Sequence, residues 1–204
     1  MMQEFVQKIE DVVREATYDI HTALPGTITA FDPASGMAVV KPEGTLRMKN
    51  GGILEYPSIV RVPVIFPRGG EGSVLAWPVL PGDGCLIIVC ENDMKPWMSH
   101  GKETDSNMKF DLTNSVCIPG LYGAGNEAMV KAAAENAVIL KNGETELEIR
   151  DDGMSAAYRG CRMRMDEKSL KLECGGCSIS VGETGIRVEG SLDVNGTVLS
   201  PDGG

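Results

Sequence analysis

Short alternating segments fill the last third of the chain and constrain its fold more than any other feature. Between residues 137 and 204, apolar and polar side chains alternate in runs of three to five residues, as in LKLEC at 170–174. Pairs of Gly, Asn or Asp separate the runs every seven to ten residues. A period of two predicts strands with one apolar face, and such short strands cannot bury that face alone. We therefore expect the strands to stack, as in a β-helix or solenoid.

Eight strands are predicted in this region, at residues 138–140, 145–149, 154–158, 161–165, 170–174, 177–181, 186–188 and 192–194. About 68 residues are few for a β-helix made by one chain, whereas an intertwined multimer in which each chain supplies one face solves the geometry. The inward side chains then meet their copies around an axis. We expect that shared core to contain Met163, Met165, Leu170, Leu172, Cys174, Ile179, Val181, Ile186 and Val188.

An amphipathic helix is predicted at the start of the chain, over residues 1–21. Its apolar residues recur at steps of three and four, which places them on one helical face. Such a stripe docks on the helix's own domain or on a neighbouring subunit. The residues of the stripe are Phe5, Val6, Ile9, Val12, Val13, Ala16 and Ile20.

Residues 22–120 have a different pattern, with short apolar runs between Pro- and Gly-rich turns. Asn50-Gly51 between two such runs is a strong hairpin signal. Five or six short strands in so short a stretch indicate a small barrel. A glycine-containing linker with a short alanine-rich helix follows at 121–136. The apolar runs that can supply these strands lie near residues 27–31, 37–40, 45–48, 53–56, 59–66, 74–79 and 85–90.

The charge balance argues against a nucleic-acid partner. The formal net charge is -10 and the pI about 4.7, whereas a nucleic-acid binder needs a basic face. The sequence shows no signal peptide and no membrane span, so the six cysteines are expected to be reduced thiols in a protein made in the cytoplasm.

No catalytic or metal-binding constellation is predicted. Two histidines, His21 and His100, are too few and too far from other candidates for an acid–base site, so we expect no enzyme and no cofactor. Cys174-Gly175-Gly176-Cys177 is a single CxxC across a predicted turn. Its sulfur atoms are expected to be small buried groups at the multimer axis, with a disulfide or a metal site as the alternatives.

Several motifs, in order, resemble the N-terminal domain of the central-spike proteins of phage baseplates, the membrane-piercing tips of contractile tails. The resemblance covers roughly residues 20–122 and extends to Trp97 and the segments at 111–112 and 118–121. The segments that carry it are HTALPGTI (21–28), VVKP (39–42), YPSI (56–59), VPVIFP (62–67), AWPV (76–79) and PGDGCL (81–86).

This resemblance implies an OB-fold barrel at 22–120, followed by a homotrimeric, triple-stranded β-helix at 137–204. The implied function is that of a structural spike that joins the tube end to a needle and pierces the target envelope on contraction. Assembly in the bacterial cytoplasm and a place in the baseplate follow, with hub, tube and envelope as partners. Phe5, Ile9, Val12 and Val13 are the candidate hub contact.

One departure from the family pattern limits the resemblance. Related spikes often hold iron at the apex through a His-x-His arrangement, and neither histidine of this chain lies in the β region. We therefore expect a blunt apex or a separate cap protein, with no metal. The alternative function is an OB-fold binding module for oligonucleotide or saccharide with a trimerising β tail, although the acidic charge opposes it.

Overall fold

The structure is a computed structural model that describes residues 2–18, 20–47, 51–99 and 108–199. The chain divides into two compact units, Met1–Gly123 and Ala124–Gly204. Both are built mainly from β-strands. No helix in the described ranges is long and apolar enough to cross a membrane.

The first unit starts with helix α1 and continues as a curved sheet. The sheet order is β5-β2-β1-β8-β9, and every neighbouring pair in it is antiparallel. A parallel bridge between Val64 and Cys117 links the two outer strands, so the sheet curls into a half-barrel. The elements are α1 (Met2–Tyr18), β1 (Ala23–Asp32), β2 (Met37–Pro42), β3 (Thr45–Arg47), β4 (Ile53–Glu55), β5 (Ile59–Pro63), β6 (Arg68–Gly69), β7 (Ser73–Val74), β8 (Gly84–Val89), α2 (Lys95–Met98) and β9 (Ser115–Pro119).

Alternation along β2 and β8 explains the core of this unit. Every second residue of these strands is buried, which places aliphatic and cysteine side chains inside the half-barrel. Gly84 lets the backbone of β8 approach the segment that follows β9, since a Cβ there would lie 1.9 Å from the carbonyl oxygen of Leu121. The buried cluster contains Ile28, Ala38, Val40, Ile59, Val62, Val79, Cys85, Ile87 and Cys117.

The second unit is a short helix followed by an antiparallel meander. Its main sheet has seven strands in the order of the sequence, β10 to β16, and a separate two-stranded sheet follows. The elements are α3 (Glu127–Glu135), β10 (Val138–Asn142), β11 (Thr145–Arg150), β12 (Gly153–Tyr158), β13 (Cys161–Asp166), β14 (Ser169–Cys174), β15 (Cys177–Gly182), β16 (Gly185–Glu189), β17 (Leu192–Val194) and β18 (Thr197–Leu199).

Tight hairpins hold the register of the meander. Cys174 pairs with Cys177 in the register, which leaves Gly175 and Gly176 as a two-residue turn. Both glycines have positive φ, 62° and 87°, the conformation that a type I′ hairpin turn requires. Short loops of this kind force each strand to pair with its neighbour in sequence.

Strands lie at all eight positions predicted from the alternation, and β18 is an additional one. Within the described chain each strand of the meander pairs with the next strand in sequence, and intertwining with other copies stays a prediction. The prediction of a strand at 74–79 in the first unit was wrong, because that run forms a strand only at Ser73–Val74. The same unit contains β9, which no pattern in the sequence indicates.

Candidate functional site

One face of the seven-stranded sheet is apolar across its whole width. The strand register aligns one residue from each strand into cross-strand rows. The first row reads Val138, Ile149, Met154, Met165, Leu170, Val181 and Ile186, and the second reads Leu140, Leu147, Ala156, Met163, Leu172, Ile179 and Val188. We call this surface the apolar face.

A third row completes the apolar face at the strand ends that carry the glycine turns. It contains Tyr158, Cys161, Cys174 and Cys177 on consecutive paired strands. Each strand therefore presents two or three side chains to the apolar face. With strands about 4.8 Å apart and roughly 17–20 Å long, seven strands make a surface of roughly 20 by 30 Å.

Nothing in the described part of the chain covers the apolar face. Leu172, Ile179 and Val181 are 43%, 41% and 43% exposed, whereas the core residues of the first unit are at most 8% exposed. In the second unit the buried side chains among the described residues are Glu148 and Ser178, and both are polar. The usual distribution of apolar and polar groups is thus inverted in this unit.

The opposite face is charged and carries helix α3. Lys131 of α3 forms a salt bridge with Glu146 and another with Glu148 at 2.8 Å, and Arg150 bonds both Glu148 and Glu135. The cap of α3 is Asn126, whose side chain accepts a hydrogen bond from the amide of Met129 at 2.9 Å. These contacts hold α3 over the first strands of the charged face and leave the apolar face open.

The ion pairs also set the protonation of this cluster. The hydrogen bond from Lys131 lowers the pKa of Glu148, against the opposing effect of burial, and Arg150 adds to the lowering. The hydrogen bonds to Glu146 and Glu148 in turn raise the pKa of Lys131. The cluster is charged at neutral pH, and its function in the described structure is to attach α3.

Charges on the remainder of this face alternate in sign. Lys171 pairs with Glu173 at 2.5 Å and Arg187 with Glu189 at 3.3 Å along their own strands. The hydrogen bond to Glu173 raises the pKa of Lys171, and the same contact lowers the pKa of Glu173. Exposed pairs of this kind contribute little to stability, but they keep the outer face soluble.

All nine residues predicted for the multimer core lie on the apolar face, in its three rows. The prediction omitted residues of β10 to β12 that complete the same rows. Val138, Leu140, Ile149 and Met154 have the same alternation in the sequence, so the signal that identified the later strands was also present there.

The cysteines differ in part from the prediction. Cys161 and Cys174 are joined by a disulfide across β13 and β14, so the expectation that all six are reduced is wrong for these two. The CxxC pair is not bridged, because Cys177 has a free and exposed thiol. Cys85 and Cys117 are free thiols buried in the half-barrel. The described residues contain no group of three or more potential ligands that could hold a metal ion.

The stripe of α1 is also uncovered. Phe5, Ile9, Val12 and Val13, the candidate hub contact, are 64%, 48%, 64% and 56% exposed. None of the helices or strands in the described part of the chain packs extensively against α1. Docking of the stripe on its own domain, one of the two alternatives that the sequence leaves open, is therefore not observed.

The half-barrel also provides the link to known proteins. Residues 24–120 match the family model described as the phage protein Gp138 N-terminal domain. The match covers the half-barrel, which is slightly less than half of the chain. It supports the assignment of the chain as a phage structural protein of the baseplate type, a component of the virion or tail. No curated protein matches the chain.

Proposed function

We propose that the chain is the central spike of a contractile tail or tail-like injection particle, and that it acts as a homotrimer. The observation that carries this proposal is the apolar face, because an apolar surface of roughly 20 by 30 Å on one chain is stable in water only when it is covered. Three copies, each supplying one sheet, enclose three such faces around a common axis. The phage family match supports the setting.

The strand arrangement suits a load along that axis. The register places the strands side by side, so each hairpin in a chain is held to the next by a ladder of backbone hydrogen bonds. Shearing the sheet sideways requires many of these bonds to break together. The charged face turns outward, where its alternating Lys, Arg and Glu residues stay hydrated. We infer that the trimeric sheets form the three-sided β-helix of a needle.

The half-barrel is the attachment end in this proposal. We infer an OB-fold, because the half-barrel is a curved five-stranded antiparallel sheet whose two edges meet at the bridge between Val64 and Cys117. This domain joins the spike to hub and tube proteins in the baseplate, after assembly in the bacterial cytoplasm. On sheath contraction the needle meets the target envelope first and pierces it mechanically, with no catalytic step.

The experiment that tests this function uses particles of the phage or tail-like system that encodes the chain. Ile179→Asp places a carboxylate on the apolar face, and Ser180→Asp places the same group on the charged face one residue later. We expect particles with Ile179→Asp to lack the spike and to lose infectivity or killing, and particles with Ser180→Asp to retain both. Full infectivity of the Ile179→Asp particle would overturn the proposal.

Accessibility of Cys177 provides an independent readout. Its thiol is free and exposed in the single chain and lies on the apolar face. In the purified trimer a maleimide should leave Cys177 unmodified until the protein is denatured. Rapid labelling of Cys177 in a protein with the mass of a trimer would show that the chains meet through another surface.

A further inference from the structure

Helix α1 exposes more apolar side chain than a helix of its length can sustain alone in water. Its 17 residues carry five large apolar residues that are 48–64% exposed. Isolated helices shorter than about 15 residues are marginal in water, and a helix of this length gains most of its stability from packing of its apolar face. The stripe therefore needs a covering surface, and the rest of the described chain does not supply it.

The spacing of the stripe indicates what covers it. Phe5, Ile9 and Val12 follow each other at steps of four and three, the a/d spacing of a coiled coil. Val6 and Val13 lie seven residues apart and widen the seam on one side by one position of the heptad. In heptad terms Ile9 occupies an a position, and Phe5 and Val12 occupy d positions, so the a/d pair formed by Ile9 and Val12 is β-branched. β-Branched residues at both a and d disfavour two-stranded coiled coils and favour three or four strands.

We propose that the apolar stripe of α1 packs against the α1 helices of two other copies of this chain, as a short parallel three-helix coiled coil. This inference rests on the trimer of the proposed function and adds a second, separate contact between the chains. It assigns the stripe to the chain's own copies, whereas the family resemblance implies a hub protein at the same residues.

Attachment of each α1 to a trimer that is already assembled compensates for the shortness of the helix. Two to three heptads are too few for three free peptides to associate strongly. In a trimer held together elsewhere, each α1 is joined to its own barrel strand β1, which begins at Ala23. Tethers of that length keep the three helices at millimolar effective concentration. They also require a parallel arrangement in register, since the three chains are identical.

The polar side of the helix is compatible with this arrangement. Gln7 lies on the side of α1 opposite the seam. Glu10 lies next to Gln7 on that side, and Lys8 lies at the border of the seam. A three-helix bundle turns these side chains toward water, and every residue of the seam is apolar. An apolar groove on a hub protein is the other surface that fits the stripe, so the test must distinguish a hub protein from further copies of this chain. The seam residues are Phe5, Val6, Ile9, Val12 and Val13.

Disulfide trapping in the full-length chain, with no other baseplate protein present, distinguishes them. Ile9→Cys places thiols at the seam, and Gln7→Cys places them on the outer side as the matched control. After mild oxidation, peptide mapping by mass spectrometry should detect a seam link, a disulfide that joins position 9 of one chain to position 9 of another. We expect the seam link to exceed the corresponding link at position 7 by about tenfold or more, because seam positions are neighbours and outer positions are not.

Limited trypsin digestion gives a second readout that does not depend on new cysteines. Cleavage after Lys8 should be slow in the native chain, and Val12→Asp should accelerate it by about tenfold or more by opening the bundle. The variant should still have the mass of a trimer, because the apolar face of the sheet is unchanged. Gln3→Asp, an exposed position outside the seam and away from the cleaved bond, is the control and should leave the cleavage rate unchanged.

The outcomes separate this inference from the function on which it rests. A trimer with the seam link and a protected Lys8 supports both. A trimer without the seam link overturns the coiled coil and leaves the spike standing, and protection that arises only after addition of a hub protein assigns the stripe to the hub. A monomer at micromolar concentration overturns both.

Discussion

A single carboxylate on the apolar face should abolish assembly of the protein, and the same carboxylate on the adjacent residue should not. Ile179 and Ser180 are neighbours in β15, and they point to opposite faces of the sheet. Ile179 lies in the second row between Leu172 and Val188. Ser180 lies between Lys171 and Arg187 on the charged face, where an added carboxylate gains two basic neighbours.

The expected magnitude follows from exposure and charge. Ile179 is 41% exposed in the single chain, and complete burial of such a side chain contributes about 2 kcal/mol, so trimer formation gains about 1 kcal/mol per chain there. Ile179→Asp loses this contribution, and its carboxyl group must be protonated before the apolar face can bury it. Protonating Asp at pH 7, about three units above its ordinary pKa, costs about 4 kcal/mol. The loss is about 5 kcal/mol per chain and about 15 kcal/mol per trimer.

Mass photometry and sedimentation over a range of concentrations measure this loss. A change of about 15 kcal/mol lowers the association constant by about eleven orders of magnitude, so Ile179→Asp should be monomeric at every accessible concentration. Ser180→Asp should assemble as the native protein does. Circular dichroism of Ser180→Asp establishes that the control chain is folded, whereas Ile179→Asp should lose sheet structure together with the trimer, because the uncovered apolar face is not stable in water. A folded, trimeric Ile179→Asp protein, or equal loss of assembly in both variants, would refute the reasoning.

Two further predictions concern each unit by itself. Gly84→Ala should lower the free energy of unfolding of the first unit by about 2 kcal/mol or more, since its Cβ would meet the carbonyl oxygen of Leu121. Thermal unfolding measures this loss. Gly72→Ala is the control and should change the free energy of unfolding little, because the space around Gly72 is open. The lowered pKa of Glu148 means that its contribution to docking of α3 is present above the ordinary value of 4.5 and is lost as the pH falls through the lowered value. Hydrogen exchange in α3 as a function of pH should detect that loss, and Lys131→Ala should move its midpoint to higher pH; an unchanged midpoint contradicts the assignment.

The local sequence pattern was sufficient to predict the strands and the apolar face of the second unit. In β14, Leu170, Leu172 and Cys174 alternate with Lys171 and Glu173, and nothing distant decides which way they point. Two-residue turns then leave one way for each strand to pair, so the cross-strand rows follow from the order of the residues. This is why the apolar face could be predicted from the sequence.

Long-range pairing explains what was missed. Strand β9 is a five-residue segment that ends in a proline, and it becomes a strand because it pairs with β8 and meets Val64 at the bridge. The predicted strand at 74–79 contains Pro78, which cannot donate to a ladder. Its ladder ends at Val74, and the amide of Leu75 adds one backbone hydrogen bond to the carbonyl oxygen of Pro67 at 2.9 Å.

The disulfide was missed for a similar reason. Cys161 and Cys174 are 13 residues apart in the sequence, and the hairpin register of β13 and β14 places them opposite each other. Cys174 is closer in sequence to Cys177, its partner in the CxxC motif, but the bond joins Cys174 of β14 to Cys161 of β13. The sequence likewise does not predict which surface covers the α1 stripe, because an apolar helix face does not specify its partner.

Sedimentation equilibrium of the purified full-length protein tests the trimer most directly. We expect one species at three times the chain mass of 21.8 kDa, unchanged between nanomolar and micromolar concentrations, because the apolar faces of three chains are buried together. A stable, folded monomer of 21.8 kDa at micromolar concentration would contradict the trimer, since the apolar face would then be exposed to water in the native protein.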